Sequence, residues 1–341
     1  MPELFAHAIK VGTREWGGDA GGSVAFAGND NERTTMQLEG LHHVTAITAD
    51  AQRSVDFYAG LLGLLMVKKT VNFDQPDVYH LYYGDERGAP GSILTFFEFP
   101  GAAVGRAGTG MVHTIRWRVG DAATLDFWTS RLEGAGIAVD RLTASLGFAD
   151  FEGLRHEFLI DTETDPPLVA HADDVPTGHA LRGLDGVRAY ATAAPASASL
   201  LEALGFSASG ENTWLAAGDQ RRASIAYDAP PTDGMSGAGT VHHVAWSAAD
   251  DAQLDAFRDR AAGAGARPTP IIDRQYFHSV YFREPSGVLF ELATRDIGFD
   301  IDEPLDSLGR ALALPPQYES RRGDLERRLT PLRDPRATVS S

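Results

Sequence analysis

The phrase LHHVTAIT at residues 41–48 returns as VHHVAWSA at 241–248, and each copy sets two adjacent histidines at the head of a stretch with strand composition. A third segment, VLFELAT at 288–294, places one carboxylate, Glu291, inside an otherwise apolar strand, where burial without a partner is costly. Together His43, His243 and Glu291 supply two imidazoles and a carboxylate. That donor set leaves coordination positions open for a substrate and O2, and it is the set associated with non-haem Fe(II) oxygenases. A metal-dependent enzyme is therefore the leading expectation. Side chains alternate along a strand, so only one histidine of each pair can face the metal. Thr45 and Ala245 continue the inward face of His43 and His243, which leaves His42 and His242 behind the site or at its edge, able to support the ligands or orient substrate.

Composition narrows the chemistry further. The chain of 341 residues has no cysteine, which excludes thiolate ligands, cysteine nucleophiles and disulfides, and leaves His, Asp and Glu as the strong metal ligands. A formal net charge of −17 with no Lys/Arg run argues against a nucleic-acid partner. No run of about 18 apolar residues and no basic-then-apolar leader are visible, so a cytoplasmic protein without a membrane partner is expected.

The elements that must position the three ligands repeat four times. The first unit runs from LHHVTAIT through a helix at 53–64 to strands at 78–85 and 92–100. The second has a strand at 111–119, a helix at 125–137 and strands at 154–161 and 167–173. The third is shorter, from Val187 through a helix at 199–206 to TWLAAG and RASIAYD. The fourth holds VHHVAWSA, a helix at 254–266, HSVYFREP and VLFELAT. Apolar residues three and four apart mark the helices, as in Leu254, Phe257 and Ala261, while the strands are rich in Val, Ile, Tyr and Phe. Gly63, Gly136, Gly205 and Gly265 follow the helices where a C-terminal cap is expected. The reading is an α+β fold of four βαβββ modules paired into two domains, 38–174 and 183–300. An extended or disordered arm precedes them at 1–37, and a charged helical tail follows at 301–341.

Six segments in order, LHHVT, YHLYYGD, LTFFEFP, VHHVAW, DRQYFHSVYFREP and LPPQYESRR, carry a resemblance that spans nearly the whole chain, from about Leu38 to Leu332. The chain resembles the ring-cleaving dioxygenases of the vicinal oxygen chelate (glyoxalase/bleomycin resistance/dioxygenase) superfamily, and within it the hydroquinone 1,2-dioxygenase branch. The resemblance implies one Fe(II), with Mn(II) as the alternative ion, held by His43, His243 and Glu291. It implies that the first and fourth modules face each other across one cleft, with the second and third as a structural counterpart carrying Thr114 and Val187 at the histidine positions. Arg274 and Tyr281 would line the substrate pocket, the first holding a phenolate and the second donating to bound oxygen or passing a proton, with Thr45 beside the substrate and His42 or His242 sharing the proton traffic.

The activity so implied is insertion of O2 into a dihydroxylated aromatic ring, a substituted hydroquinone first. The small aromatic diol and O2 are then the partners, in a homo-oligomer. A glyoxalase-type lyase or isomerase, or a non-catalytic binding protein on the same scaffold, are the alternatives. Thr95, which counting from Gly91 and Gly287 sets opposite Glu291, argues against the fourth protein ligand that glyoxalase-type members often use. Glu98 reads as structural, as do His80, His113, His156, His171 and His179, and His278 has no assigned role.

Overall fold

The computed structural model describes residues 36–335, so the arm expected at 1–37 lies almost wholly outside the described residues, as do the last six residues of the tail. The first module contributes strands β1 (Leu41–Thr48), β2 (Leu65–Val71), β3 (Tyr79–Gly84) and β4 (Ile93–Glu98), and the second β5 (Val112–Val119), β6 (Val139–Arg141), β7 (Ser145–Ala149) and β8 (Arg155–Ile160). The third contributes β9 (Leu184–Tyr190), β10 (Ser207–Gly210), β11 (Thr213–Ala217) and β12 (Arg222–Asp228), and the fourth β13 (Val241–Ala248), β14 (Ile272–Asp273), β15 (His278–Arg283) and β16 (Leu289–Thr294). The segment 167–173, expected as the last strand of the second module, is not one: β6 and β7 precede β8, and Ala172 makes only a single bridge, to Val175. Pro167 and the preceding Pro166 remove backbone donors at the point where a ladder would have to start.

The sixteen strands form two eight-stranded sheets, ordered β14-β15-β16-β13-β1-β4-β3-β2 and β10-β11-β12-β9-β5-β8-β7-β6. Modules one and four thus share one sheet and modules two and three the other, the pairing that the resemblance implies. Antiparallel ladders β1–β13 and β5–β9 close the two sheets at their centres, and each joins a module from 38–174 to one from 183–300. The segment 174–183 between them makes one 3-10 turn, Thr177–His179, and buries Ala180 and Leu181.

The helices pack on the sheets through apolar stripes: the one read from sequence, Leu254, Phe257 and Ala261 in Asp251–Gly263, and its counterpart Leu125, Trp128 and Leu132 in Ala122–Gly134 are fully buried. Three helices start on an aspartate whose carboxylate accepts the N–H three residues on: Asp50 from Arg53, Asp121 from Thr124 and Asp250 from Gln253. All four glycines expected at the C-termini have positive φ, from 73° at Gly63 to 91° at Gly265. The first helix departs from the expected continuous α-helix: after Ala51–Val55 it widens into a π-helical stretch, Asp56–Leu61. None of the described helices is long and apolar enough to cross a membrane.

The tail packs on the first module of its own chain. Fully buried Lys68 meets Asp302 at 2.5 Å and also Glu303, Ala313 N–H donates to the Lys69 carbonyl at 2.9 Å, and Tyr79 Oη donates to the Thr330 carbonyl at 2.9 Å. Its helical part is a 3-10 turn, Pro316–Arg321, running into Arg322–Arg328.

Candidate metal centre

The β1–β13 register sets Thr45 opposite His243 and His43 opposite Ala245, so the two histidines lie diagonally across the ladder on one face. Strand β16 runs parallel to β13 with Glu291 opposite Ala245, which brings the carboxylate onto the same face. The result is a compact triangle: His43 Nε2 lies 3.3 Å from His243 Nε2 and 3.2 Å from Glu291 Oε2, and His243 Nε2 lies 2.8 Å from Glu291 Oε2. All three side chains are buried, Glu291 completely. Among the described residues, this is the group of His, Asp and Glu side chains whose ligand atoms converge closely enough to hold a metal ion.

The surrounding hydrogen bonds decide which atoms carry lone pairs. His42 Nε2–H donates to the Thr294 carbonyl at 3.0 Å, which leaves His42 Nδ1 as an acceptor. His43 Nδ1–H then donates to His42 Nδ1 at 2.9 Å, and His43 Nε2 is left bare toward the triangle. On the opposite strand His243 Nδ1 meets His242 Nδ1 at 2.7 Å; with the proton on His243, its Nε2 is bare as well. Glu291 Oε1 accepts from Ser279 Oγ at 2.5 Å and Tyr281 Oη at 3.0 Å, while Oε2, buried, has no hydrogen bond. Three lone-pair atoms so close together repel unless a cation sits among them.

A metal fits this arrangement. Donors bound at about 2.1 Å with angles near 90° stand about 3.0 Å apart, whereas tetrahedral angles require about 3.4 Å. The edges, 2.8, 3.2 and 3.3 Å, are within reach of both figures, and three side-chain donors would leave coordination positions open on a metal held there. Charge agrees: burial alone would raise the Glu291 pKa, but His43 and His243 hold it well below the ordinary carboxylate range, and burial pushes His243 down. Burial takes His42 and His242 down to about 3. An ionised carboxylate beside imidazole nitrogens with bare lone pairs is the donor set that a metal needs.

The cavity beside the triangle is lined by Thr45, His80, Phe97, Phe277, Tyr281 and Arg274, among others, and Phe277 packs its ring on both His42 and His43 at 4.9 and 5.1 Å. Thr95 stands opposite Thr45 in the parallel β1–β4 register, as Glu291 stands opposite Ala245. Instead of a fourth ligand it is part of a relay: Tyr82 Oη to His80 Nδ1 at 3.0 Å, His80 Nε2 to Thr95 Oγ1 at 2.9 Å, and Thr95 Oγ1 to Thr45 Oγ1 at 3.0 Å. With the phenol as first donor, each hydroxyl or imidazole accepts from the one before. Thr45 oxygen has its donor, and its own hydrogen is free to point into the cavity.

Tyr281 lines the cavity with its ring but spends its hydroxyl on Glu291, and Arg274 stacks over that ring at 5.4 Å while pairing with Asp74 at 3.4 Å. Glu98 lies away from the site and accepts from Ala51 N at 3.2 Å, and His278 pairs with Asp251 near the surface. His80, read from sequence as structural, lines the cavity, while Ser279 and Asp74 escaped the sequence reading. His80 with Tyr82, and Ser279 with Tyr281, are i, i+2 pairs on one strand face, which is the signal that could have found the first two. In the second sheet Arg116 pairs with Gly186 as Thr45 pairs with His243, so the counterpart of His243 is Gly186, one residue from the expected Val187. Thr114 and Ala226 fill the other two ligand positions, and no triad forms there.

Four βαβββ modules sharing two sheets, with two histidines and a glutamate across the central ladder of one of them, define a class. Residues 40–155 and 185–292 match the Glyoxalase/Bleomycin resistance protein/Dioxygenase superfamily, and the chain belongs to that family. Among its relatives, a Bacillus subtilis (strain 168) protein provisionally named ring-cleaving dioxygenase MhqA is 38% identical over 315 residues, covering 87% of this chain and 100% of its own. The chlorohydroquinone/hydroquinone 1,2-dioxygenase of Sphingobium indicum (strain UT26S) is 31% identical, over 85% of this chain and 96% of its own. A crystal structure of a provisionally named dioxygenase from Bacillus subtilis superimposes with a TM-score of 0.81 at 37% identity, covering 87% of this chain and 98% of that one. Glyoxalase I from Zea mays, at 15% identity and a TM-score of 0.55 over 75% of this chain and 92% of its own, shares the fold.

Proposed function

We propose that the protein is an Fe(II)-dependent ring-cleaving dioxygenase whose substrate is a dihydroxylated aromatic ring, a substituted hydroquinone first. The observation that carries this reading is the convergence of three bare donor atoms within coordination distance of one another, beside a cavity lined by Phe97, Phe277 and Tyr281. The names of the relatives support a phenolic substrate. His43, His243 and Glu291 would hold the metal, which when bound supplies redox access to O2 and Lewis acidity for a ring hydroxyl.

The rest is the work of this chain's own side chains. Thr45 donates to a ring oxygen, Phe97 and Phe277 exclude water, and Arg274 offers donors to the ring's oxygens. Tyr281 and Ser279 fix the orientation of the Glu291 carboxylate, and His42 fixes the tautomer of His43. His242 lines the cavity, and with its Nδ1 accepting from His243 its Nε2–H is a donor that can orient a ring oxygen. The glyoxalase-type alternative lacks a fourth ligand, because Thr95 stands in its place with its oxygen committed to His80 and Thr45.

Anaerobic loading with Fe(II), followed by oxygen-electrode assays on a panel of hydroquinones and catechols, tests the reading. Oxygen uptake with a ring-opened chromophore, absent in His243→Ala, is expected; stoichiometric metal with no uptake on any diol overturns it. Running the panel with Mn(II) separates the two ions. The relay adds a finer prediction. Thr45→Val and His80→Phe should each lower kcat/KM by about five- to tenfold with metal content unchanged, the worth of one well-placed hydrogen bond. The double variant should be little worse than either, because both act on one donor.

A further inference from the structure

We infer that Asp74 is a charge selector at the mouth of the metal cavity, admitting rings whose acidic groups are hydroxyls alone and turning away rings that carry a carboxylate. The inference rests on the dioxygenase reading above and gives its substrate class a boundary. Apart from imidazoles, the charged side chains that line the cavity are Arg274 and Asp74, and they face each other at 3.4 Å. Arg274 is therefore a cation whose charge is already answered before any substrate arrives.

The charge count follows. A divalent ion on one carboxylate and two neutral imidazoles leaves a single positive charge, and the Arg274–Asp74 pair adds none. One phenolate brings the cavity to neutrality. A ring carrying a carboxylate as well leaves an uncompensated anion in a largely dry space, next to the Asp74 carboxylate, or must displace Asp74 from Arg274. Either route costs roughly tenfold or more in affinity, since like charges a few ångströms apart in a partly desolvated site repel strongly.

Asp74 cannot simply swing aside, because its loop is anchored on both sides. Buried Asn72 accepts from the N–H groups of Asp74 at 2.9 Å and Gln75 at 3.3 Å through its side-chain oxygen. The Phe73 carbonyl accepts from Tyr318 Oη at 2.7 Å, and Asp77 meets Arg321 and Arg328 of the tail, each at 3.5 Å. The backbone that carries Asp74 is thus held from the sheet side by Asn72 and from outside by the tail, which keeps its carboxylate within reach of Arg274.

The test uses two probes of the same shape and different charge, 2,5-dihydroxybenzamide and 2,5-dihydroxybenzoate, titrated calorimetrically into the Fe(II)-loaded protein without oxygen. The wild type should bind the amide roughly tenfold or more tightly than the acid. Asp74→Asn, and independently Asp74→Ser, should close most of that gap by tightening the acid, with the amide changed by less than about threefold. Equal binding of the two probes by the wild type overturns the proposal with no variant needed, and so does a gap that survives both substitutions. If the gap and its collapse are found but no diol supports oxygen uptake, the selector stands and the dioxygenase reading falls. Uptake without a gap sinks the selector alone, and failure of both probes to bind sinks both.

Discussion

Glu291→Gln is expected to fold, to bind metal more than about a hundredfold more weakly, and to lose oxygen uptake. The bound on affinity comes from the fact that removing mere supporting partners of metal ligands already costs 10- to about 100-fold. Glutamine keeps the volume of the side chain inside fully buried β16, and its carbonyl oxygen can still accept from Ser279 and Tyr281, so the packing that surrounds the site survives. What changes is the atom facing His43 and His243: an amide nitrogen is a donor with no lone pair for a metal. It can donate to one of the bare imidazole nitrogens, so the metal-free variant should be at least as stable as the metal-free wild type, which must crowd three acceptors together. Metal content after dialysis, read beside thermal melts of the metal-free proteins, checks both halves. Unchanged metal content would move the carboxylate ligand elsewhere.

Acid should unfold the metal-free protein through its buried histidines. His42 and His156 are 3% and 1% exposed, and burial takes the pKa of each from 6.5 to about 3. The folded-state values are depressed, so above pH 6.5 neither the folded nor the unfolded chain holds the proton and stability is at its full value. As pH falls below 6.5 the unfolded chain takes up protons that the folded chain refuses, and stability is lost progressively until about pH 3. Each such imidazole should cost roughly 2 kcal/mol at pH 5, from 1.36 kcal/mol per unit of separation. Urea titrations of the metal-free protein between pH 8 and 5 measure the slope. His156→Phe should flatten it at that residue's share, since His156 sits far from the metal centre, held by Trp117 Nε1 at 3.1 Å and Tyr58 Oη at 3.0 Å. A slope that ignores this substitution would show that His156 takes a proton in the folded state.

Much of the fold could be read directly because its units are local. A helix stripe, an aspartate cap, a glycine at the far end and a short Val- and Tyr-rich strand each leave a mark within a dozen residues, and the module repeats them four times. The second module was misread where locality failed: β6 and β7 are short, and PLVAHAD has the apolar alternation of a strand without the backbone donors to start one. The candidate triad of His43, His243 and Glu291 was legible for a different reason. A carboxylate in the middle of an apolar strand and a doubled histidine at two strand heads are expensive choices that folding alone does not explain. The relay through His80 and Thr95 and the Arg274–Asp74 pair are contacts between modules or between a loop and a strand, and single-strand alternation carries no record of them. Which module meets which came from the family resemblance, since the chain order of the modules is equally compatible with pairing neighbours.

The central ladder of the first sheet joins strands whose histidines are 200 residues apart in the chain. Contacts of such long range are the slowest to form, because a large loop must close before they return any stabilisation. The ligands therefore come together late in folding and separate early in unfolding. An ion that binds only the closed ladder slows its opening without speeding its formation, so all of the stability that it adds should show as a higher unfolding barrier. A cell that withdraws the metal would then shorten the lifetime of the protein as well as silence it, with proteolysis starting from the parted seam.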